Sequence, residues 1–329
     1  MSRRRPPLRA GALLLLAVGI AACARSDAAS PNDAAVAHRP GTLVEYKTMR
    51  SAFLSSTPEV IVWLPPGYER RDRRYAVLYM NDGQNLFDPA TAFGGRAWRV
   101  DKAIAELMAK GVIRPTIVVG IANLGAARAR QYTPQGVFDR LPPAVKHYYQ
   151  AMGLEGAPFS DNFLRFLVKE LKPFIDRTYR TDPDRQSTFI MGSSMGALIS
   201  LYALAEYPDV FGGAGCLSPH WPLVLPAKSG MPTIAGHPIF ERQVSDAFVD
   251  YLRGKLGPPD KRRIWFDHGT RSLDAFYAPY QQRINRVLIA LGWRHGRDFH
   301  SKVYVGATHD EDSWRARLAD PLTFLLPVQ

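Results

Sequence analysis

The chain is poor in cysteine: its 329 residues include two, Cys23 and Cys216. A disulfide scaffold is therefore excluded, and stability has to come from packing. Long apolar runs are lacking too. The most hydrophobic stretch, "GALLLLAVGIAA" at 11–22, is too short to cross a bilayer as a stable helix. No repeat of roughly 20–50 residues is present, which argues against solenoids and propellers. Acidic residues are outnumbered by basic ones, 30 to 42, for a formal charge of +12. No Lys/Arg cluster interleaves with aromatics along one element, so the surplus reads as attraction to anionic surfaces or substrates and not as nucleic-acid binding. "RRDRR" at 70–74 reads as a short solvated turn.

What is present begins with an export signal. "MSRRRPPLRA" is a basic leader, the apolar stretch follows, and it ends in Ile20-Ala21-Ala22-Cys23. Small residues directly before a cysteine resemble the bacterial lipobox. Residues 1–22 are then expected to be a lipoprotein signal peptide and Cys23 the lipidated residue. Ala24, in place of aspartate, resembles the outer-membrane sorting pattern, so an exported protein with a lipid anchor in the cell envelope is expected. Residues 1–22 carry four arginines and no acid, so their removal would bring +12 to +8. The Ala/Ser/Asp/Pro-rich stretch 23–42 reads as a flexible tether, and 43–329 as one folded domain.

In that domain, apolar runs alternate with amphipathic stretches. "EVIVWLP" (59–65), "YAVLYMND" (75–82), "PTIVVGIA" (115–122), "STFIMG" (187–192), "FGGAGCLSP" (211–219), "RIWFDHG" (263–269) and "DFHSKVYVG" (298–306) read as strands. Helical spacing covers 101–111, 160–179 with Ser160 or Asp161 as cap, 195–208, 245–257, 274–292 and the C-terminal stretch; 220–242 reads as irregular. The alternation predicts an α/β fold: a mostly parallel central sheet with helices on both faces and functional groups in loops at the carboxyl ends of strands.

One such end carries Gly192-Ser193-Ser194-Met195-Gly196 between a buried strand and a helix. A Gly-x-Ser-x-Gly motif in that context projects its middle residue, Ser194, above the sheet as a nucleophile. Ser193 falls one residue early and should face the interior. A serine hydroxyl needs a base. Of eight histidines, His309 alone sits in a post-strand loop near the C-terminus, in "VGATHDEDSW". For the acid the spacing favours Asp274, whose loop position reaches a histidine more easily; Asp267, at a strand end, is the structural or substitute acid, and a Ser–His dyad is the remaining option. Backbone N–H groups of Met195 and Gln84 are the expected oxyanion donors. Asn81, Asp82 and Asn85 read as turn residues. Asn123, Arg128 and Tyr132 are candidates to contact substrate, as are His220 and Trp221 at the pocket rim; Trp98 and Trp314 read as packing residues.

"YAVLYMNDGQNLFD", "GSSMGALISLYALAEYPDVFGG", "CLSPHWP", "FDHGTRSLDAFYAPYQ" and "GATHDEDSWRARL" together resemble the putative-esterase family of α/β-hydrolases over roughly residues 43–328. That family includes enterochelin-type siderophore esterases, feruloyl and acetyl-xylan esterases, and mycolyltransferases. The resemblance implies a serine carboxylester hydrolase with Ser194, His309 and an acid near Asp274. It implies a small-molecule ester as substrate, no cofactor and no metal. Where similar chains have Gly-Thr-Glu-Thr-Leu-Asp, this one has Arg271 in place of the glutamate, which favours Asp274. An acyltransferase using the same residues, and a non-catalytic envelope binding protein, are the alternatives. A metal hydrolase built on His309-Asp310-Glu311-Asp312 is disfavoured, because adjacent loop residues rarely converge on one ion.

Overall fold

The computed structural model describes residues 40–70, 72–151, 156–223 and 238–328. The expected signal segment, Cys23, nearly all of the expected tether and most of the 220–242 stretch lie outside the described residues. The last residues of the expected tether are part of the domain: the indole of Trp63 donates to the carbonyl of Pro40 (2.6 Å), and the first strand starts at Thr42.

Eight strands form one sheet: β1 Thr42–Tyr46, β2 Val60–Leu64, β3 Ala76–Asn81, β4 Thr116–Ile121, β5 Thr188–Ser193, β6 Gly213–Leu217, β7 Arg263–His268 and β8 Phe299–Val303. Their spatial order is β1-β2-β4-β3-β5-β6-β7-β8. β2 runs antiparallel to both neighbours, and every other pairing is parallel. Strands β2 to β6 are buried along their whole length. That is why they read as continuous apolar runs and not as alternating ones. Period-2 geometry still divides them between two cores. Val77 and Tyr79 of β3 join the core under the helices Met195–Glu206, Pro238–Lys255 and Ala278–Ala290, whereas Ala76, Leu78 and Met80 join the core under Val100–Ala109 and Ala319–Leu325.

The helix Met195–Glu206 is buried from Met195 to Ala205, so it has no polar face. Its one serine, Ser200, donates its hydroxyl to the Gly196 carbonyl (2.7 Å) and accepts from Asn81 Nδ2 (3.0 Å). Cys216, the free thiol among the described residues, lies in β6 between Gly192 and Phe266 on the neighbouring strands, and burial pushes its pKa well up.

The helix expected over 160–179 contains a π-turn at Phe166–Leu171. Pro173 comes two residues later; it has no N–H for the regular ladder, and a wider turn relieves its ring clash. Neither Ser160 nor Asp161 caps this helix. Ser160 is its first residue and accepts from the Gln135 N–H (2.9 Å), while Asp161 accepts from the Tyr202 hydroxyl (2.6 Å). Pro279 likewise splits the 274–292 stretch into a 3-10 turn, Ser272–Phe276, and the helix Ala278–Ala290. The helix expected over 245–257 starts earlier, spanning Pro238–Lys255. Among the described residues no helix is long and apolar enough to cross a membrane.

Candidate active site

Sheet register gathers the site. Ser193, Leu217 and Asp267 lie side by side on β5, β6 and β7. The loops that follow these positions therefore emerge together at the carboxyl ends of the strands.

Ser194 occupies the turn between β5 and the next helix, with φ 58° and ψ −122°. A non-glycine residue there is strained, so its surroundings must hold it. A β-carbon on Gly192 would meet the Gly196 carbonyl carbon at 2.7 Å, so the strand and the helix can close this tightly only with glycine at 192. The Ser194 N–H donates to the Leu217 carbonyl (2.9 Å), and its carbonyl accepts from the His220 N–H (3.2 Å).

The Ser194 Oγ lies 2.9 Å from His309 Nε2, and His309 Nδ1 lies 2.6 Å from Asp274 Oδ1. The other carboxylate oxygen, Oδ2, accepts from the Gly269 N–H (2.6 Å) and the Ser218 hydroxyl (2.7 Å). With Oδ2 occupied by two donors, Oδ1 is left facing the imidazole. Burial alone would raise the Asp274 pKa. Hydrogen bonds from His309, Ser218 and Gly269, with the attraction of His309, outweigh it and hold the carboxyl below its usual range. Gly269 has to be glycine: a β-carbon there would sit 2.1 Å from the Ala307 carbonyl oxygen.

Behind Asp274 lies a buried cation. Arg317 is 5% exposed, and its Nη2 donates to Ser218 Oγ (2.7 Å), pairs with Asp267 Oδ1 (2.9 Å) and stands 3.9 Å from Asp274 Oδ2. The Trp314 indole also donates to Ser218 Oγ (3.1 Å). Two donors thus point at the Ser218 oxygen, and its own hydrogen is directed to Asp274. Asp267 does not take the place of Asp274; it balances Arg317 and accepts from the Trp265 indole (2.8 Å). Burial pushes the Asp267 pKa up despite those donors.

Of the expected oxyanion donors, Met195 directly follows Ser194 and Gln84 lies in the loop after β3. Met195 is the first residue of its helix, so its N–H has no intrahelical acceptor. The loop carrying Gln84 is fastened to the same helix by Asn81 Nδ2, which donates to the Gly196 carbonyl (3.2 Å) as well as to Ser200. Gln84 Oε1 accepts from the Asn123 N–H (3.2 Å), and the Gln84 carbonyl accepts from Thr91 Oγ1 (2.8 Å).

Several expected substrate contacts are instead supports. Tyr132 is fully buried, and its hydroxyl accepts from the Asp82 N–H (3.1 Å), bracing the Gln84 loop from beneath. Trp221 is also fully buried; the turn at 219–223 drives it into the core, edge-on to Phe248, with its indole on Gln281 Oε1 (3.2 Å). His220 is buried behind His309, its Nδ1 2.6 Å from the Tyr277 hydroxyl. Arg128 grips Asp82 with two 2.7 Å bonds, and Asn123 Nδ2 adds a third at 2.7 Å. Against the pull of burial, Asp82 holds the Arg128 pKa above the usual arginine value. Asp82 is thus an ion-pair centre as well as a turn residue, at φ 57°; Asn85 does serve the loop, accepting from the Phe93 N–H (3.0 Å). Trp98 and Trp314 are buried against each other. Sequence reasoning did not find Ser218, Tyr277 or Arg317. The one local signal was "WRAR", which sets Trp314 and Arg317 on the same helical face.

Comparison with known proteins agrees with this architecture. The family model described as putative esterase matches residues 51–325. Ferri-bacillibactin esterase BesA of Bacillus subtilis is 34% identical over 156 residues, 45% of this chain and 49% of that protein. An endo-1,4-beta-xylanase/feruloyl esterase of Xylanibacter ruminicola is 27% identical over 161 residues, 48% of this chain and 19% of that protein. The matches span 65%, 49% and 60% of the first three curated relatives' own lengths. Among solved structures, a ferulic acid esterase superposes with a TM-score of 0.57 at 20% identity, covering 88% of this chain and 98% of that one. The ferric enterobactin esterase of Salmonella typhimurium gives 0.60 at 18% identity, covering 87% of this chain and 60% of the other. The two structures show a shared fold, and the family match over most of the domain identifies this chain as a member of the putative-esterase family.

Proposed function

We propose that this protein is a serine carboxylic ester hydrolase that works through an acyl-enzyme on Ser194. One observation carries the reading: the continuous hydrogen-bonded chain from Ser194 Oγ through His309 to Asp274, at 2.9 and 2.6 Å, in loops at the carboxyl ends of the strands. Ser194 Oγ attacks the ester carbonyl while His309 Nε2 takes its proton. Asp274 steadies the imidazolium, and the N–H groups of Met195 and Gln84 receive the developing oxyanion. His309 returns the proton to the leaving alcohol. A water then attacks the acyl-enzyme with His309 again as base, and Ser194 is regenerated.

The substrate class we propose is a small ester of the siderophore or feruloyl/acetyl-sugar type, which the names of its relatives support. We place the protein on the envelope side of a membrane, held by a lipid on Cys23, as the lipobox-like segment suggests. The test is fluorophosphonate labelling of the full chain in detergent, with p-nitrophenyl acetate and butyrate assayed alongside. Labelling at Ser194 and turnover that vanishes in Ser194→Ala are expected. A folded sample with neither would overturn the reading. Turnover of a trilactone siderophore against methyl ferulate then separates the substrate classes, and palmitate incorporation lost in Cys23→Ser tests the anchor.

A further inference from the structure

Three rings box in His309. The Trp314 centroid lies 5.0 Å away at 82°, that of Tyr277 5.6 Å away at 83° and that of His220 6.2 Å away at 61°. All three residues are buried. Two of them are also fastened to the residues between which His309 works. The His220 N–H donates to the Ser194 carbonyl (3.2 Å), and the Tyr277 N–H donates to the Asp274 carbonyl (3.1 Å). Their side chains form a second branch on the imidazole. His309 Nδ1 lies 2.6 Å from Asp274 Oδ1 and 3.5 Å from the Tyr277 hydroxyl, which in turn lies 2.6 Å from His220 Nδ1.

Counting hydrogens orients that branch. His309 Nε2 has to be free to take the Ser194 proton, and Asp274 is held as a carboxylate, so Nδ1 carries the imidazole hydrogen. A tyrosine hydroxyl has a single hydrogen, and burial, with the Asp274 charge, keeps it on Tyr277. Among the described residues, the two imidazole nitrogens are that hydroxyl's hydrogen-bonding neighbours. His309 Nδ1 is already a donor, which leaves His220 Nδ1 as the acceptor. Were His220 protonated at Nδ1, a buried O–H would be left unsatisfied. The tyrosine hydrogen therefore points to His220, and a lone pair points to His309.

We infer that His220 is a positioning residue for the base: by taking the Tyr277 hydrogen it sets a tyrosine lone pair, beside the Asp274 carboxylate, against His309 Nδ1. The other His309 tautomer would turn a bare nitrogen towards two oxygens and is disfavoured. The imidazolium of the transition state is a stronger donor than the neutral ring, so the 3.5 Å contact is expected to shorten as charge develops. Without an acceptor at position 220, the tyrosine hydrogen turns to His309 Nδ1 and favours the wrong tautomer.

This rests on the reading of His309 as the general base of an esterase. The test uses the full chain in detergent micelles, with p-nitrophenyl acetate kinetics, thermal unfolding and nitrogen-15 spectra of labelled histidine, the His309 signals being assigned with His309→Gln. His220→Leu and Tyr277→Phe are each expected to lower kcat about tenfold with KM unchanged. In the Tyr277→Phe background, His220→Leu should cost nothing further, because the tyrosine that carries the effect is gone. His220→Asn, whose side-chain oxygen can take the hydrogen, should recover most of the loss. The His309 shifts should move toward the other tautomer in His220→Leu and keep their wild-type values in His220→Asn. A merely structural role would lower the unfolding midpoint and leave those shifts in place. Wild-type kcat in Tyr277→Phe, losses that multiply in the double variant, or unmoved His309 shifts in His220→Leu each overturn the inference. Where His220→Leu does not fold, Tyr277→Phe against His220→Asn decides: a tenfold loss in the first alone supports it, and equal kcat overturns it. Turnover that survives Ser194→Ala is a separate failure, that of the esterase reading itself.

Discussion

Ser194 and Asp274 stand at the two ends of one hydrogen-bonded chain, yet they are held by opposite means. Ser194 is fixed mainly by its sequence neighbours: Gly192 and Gly196 let strand and helix close on each other, and its N–H reaches the adjacent strand. Asp274 is fixed by residues scattered along the chain, Gly269 5 positions away, His309 35 away and Ser218 56 away. Arg317 and Asp267 then hold Ser218 in turn. A locally built group stays in place while its turn is intact. A group built from distant side chains is only as well placed as the packing that brings them together.

Breaking the serine end should cost most. Ser194→Ala is expected to lower kcat by roughly 10⁶-fold with the unfolding midpoint little changed, read from esterase kinetics and thermal unfolding. Asp274→Asn comes next, at about 10⁴-fold in kcat, because the amide favours the wrong imidazole tautomer. The same variant tests linkage. The Asp274 pKa is depressed in the fold, so its carboxylate contributes stability above the unfolded carboxyl range, and this is lost as pH falls through the folded value. Urea midpoints measured from about pH 6 down to pH 3 should therefore fall less steeply in Asp274→Asn than in wild type. Asp267 has the opposite sign: burial raises its pKa, so its charged form weighs against the fold near neutrality and that penalty fades on acidification.

Arg317→Met sharpens the contrast from the acid side. It leaves Asp267 buried without its cation, and a loss of about 3–5 kcal/mol in urea unfolding is expected. Adding Asp267→Asn should recover much of that loss. If the single variant is as stable as wild type, the buried pair is not what holds Ser218. Ser218→Ala should be mildest, about tenfold in kcat. Its pH profile carries the sharper information. Without the Ser218 hydroxyl, one of the hydrogen bonds that hold the Asp274 pKa down is gone, so the acid-side loss of urea stability should begin at higher pH than in wild type. A purely structural role would lower the profile without moving it.

The same contrast explains what could be read from the sequence. The strands, the elbow at Ser194 and the post-strand position of His309 were legible because each is written in consecutive residues. So was the preference for Asp274, since loop and strand end differ in reach. Arg317 was not legible, because a charged residue on a C-terminal helix gives no sign of being buried. Tyr132 and Trp221 were misplaced for a related reason: their elements were recognised, but whether a side chain points to the crevice or to the core is set by turns that propensity does not resolve. The breaks at Pro173 and Pro279 interrupt helices whose apolar spacing runs straight through them.

The buried thiol of Cys216, sealed in β6 between Gly192 and Phe266, turns the centre of the sheet into a clock. A thiol reagent can reach it only when neighbouring strands part, so the labelling rate reports how often they do. Variants that merely displace the acid should keep the wild-type rate, and those that loosen the sheet should react faster. Timing that reaction sorts the two kinds of damage without any substrate.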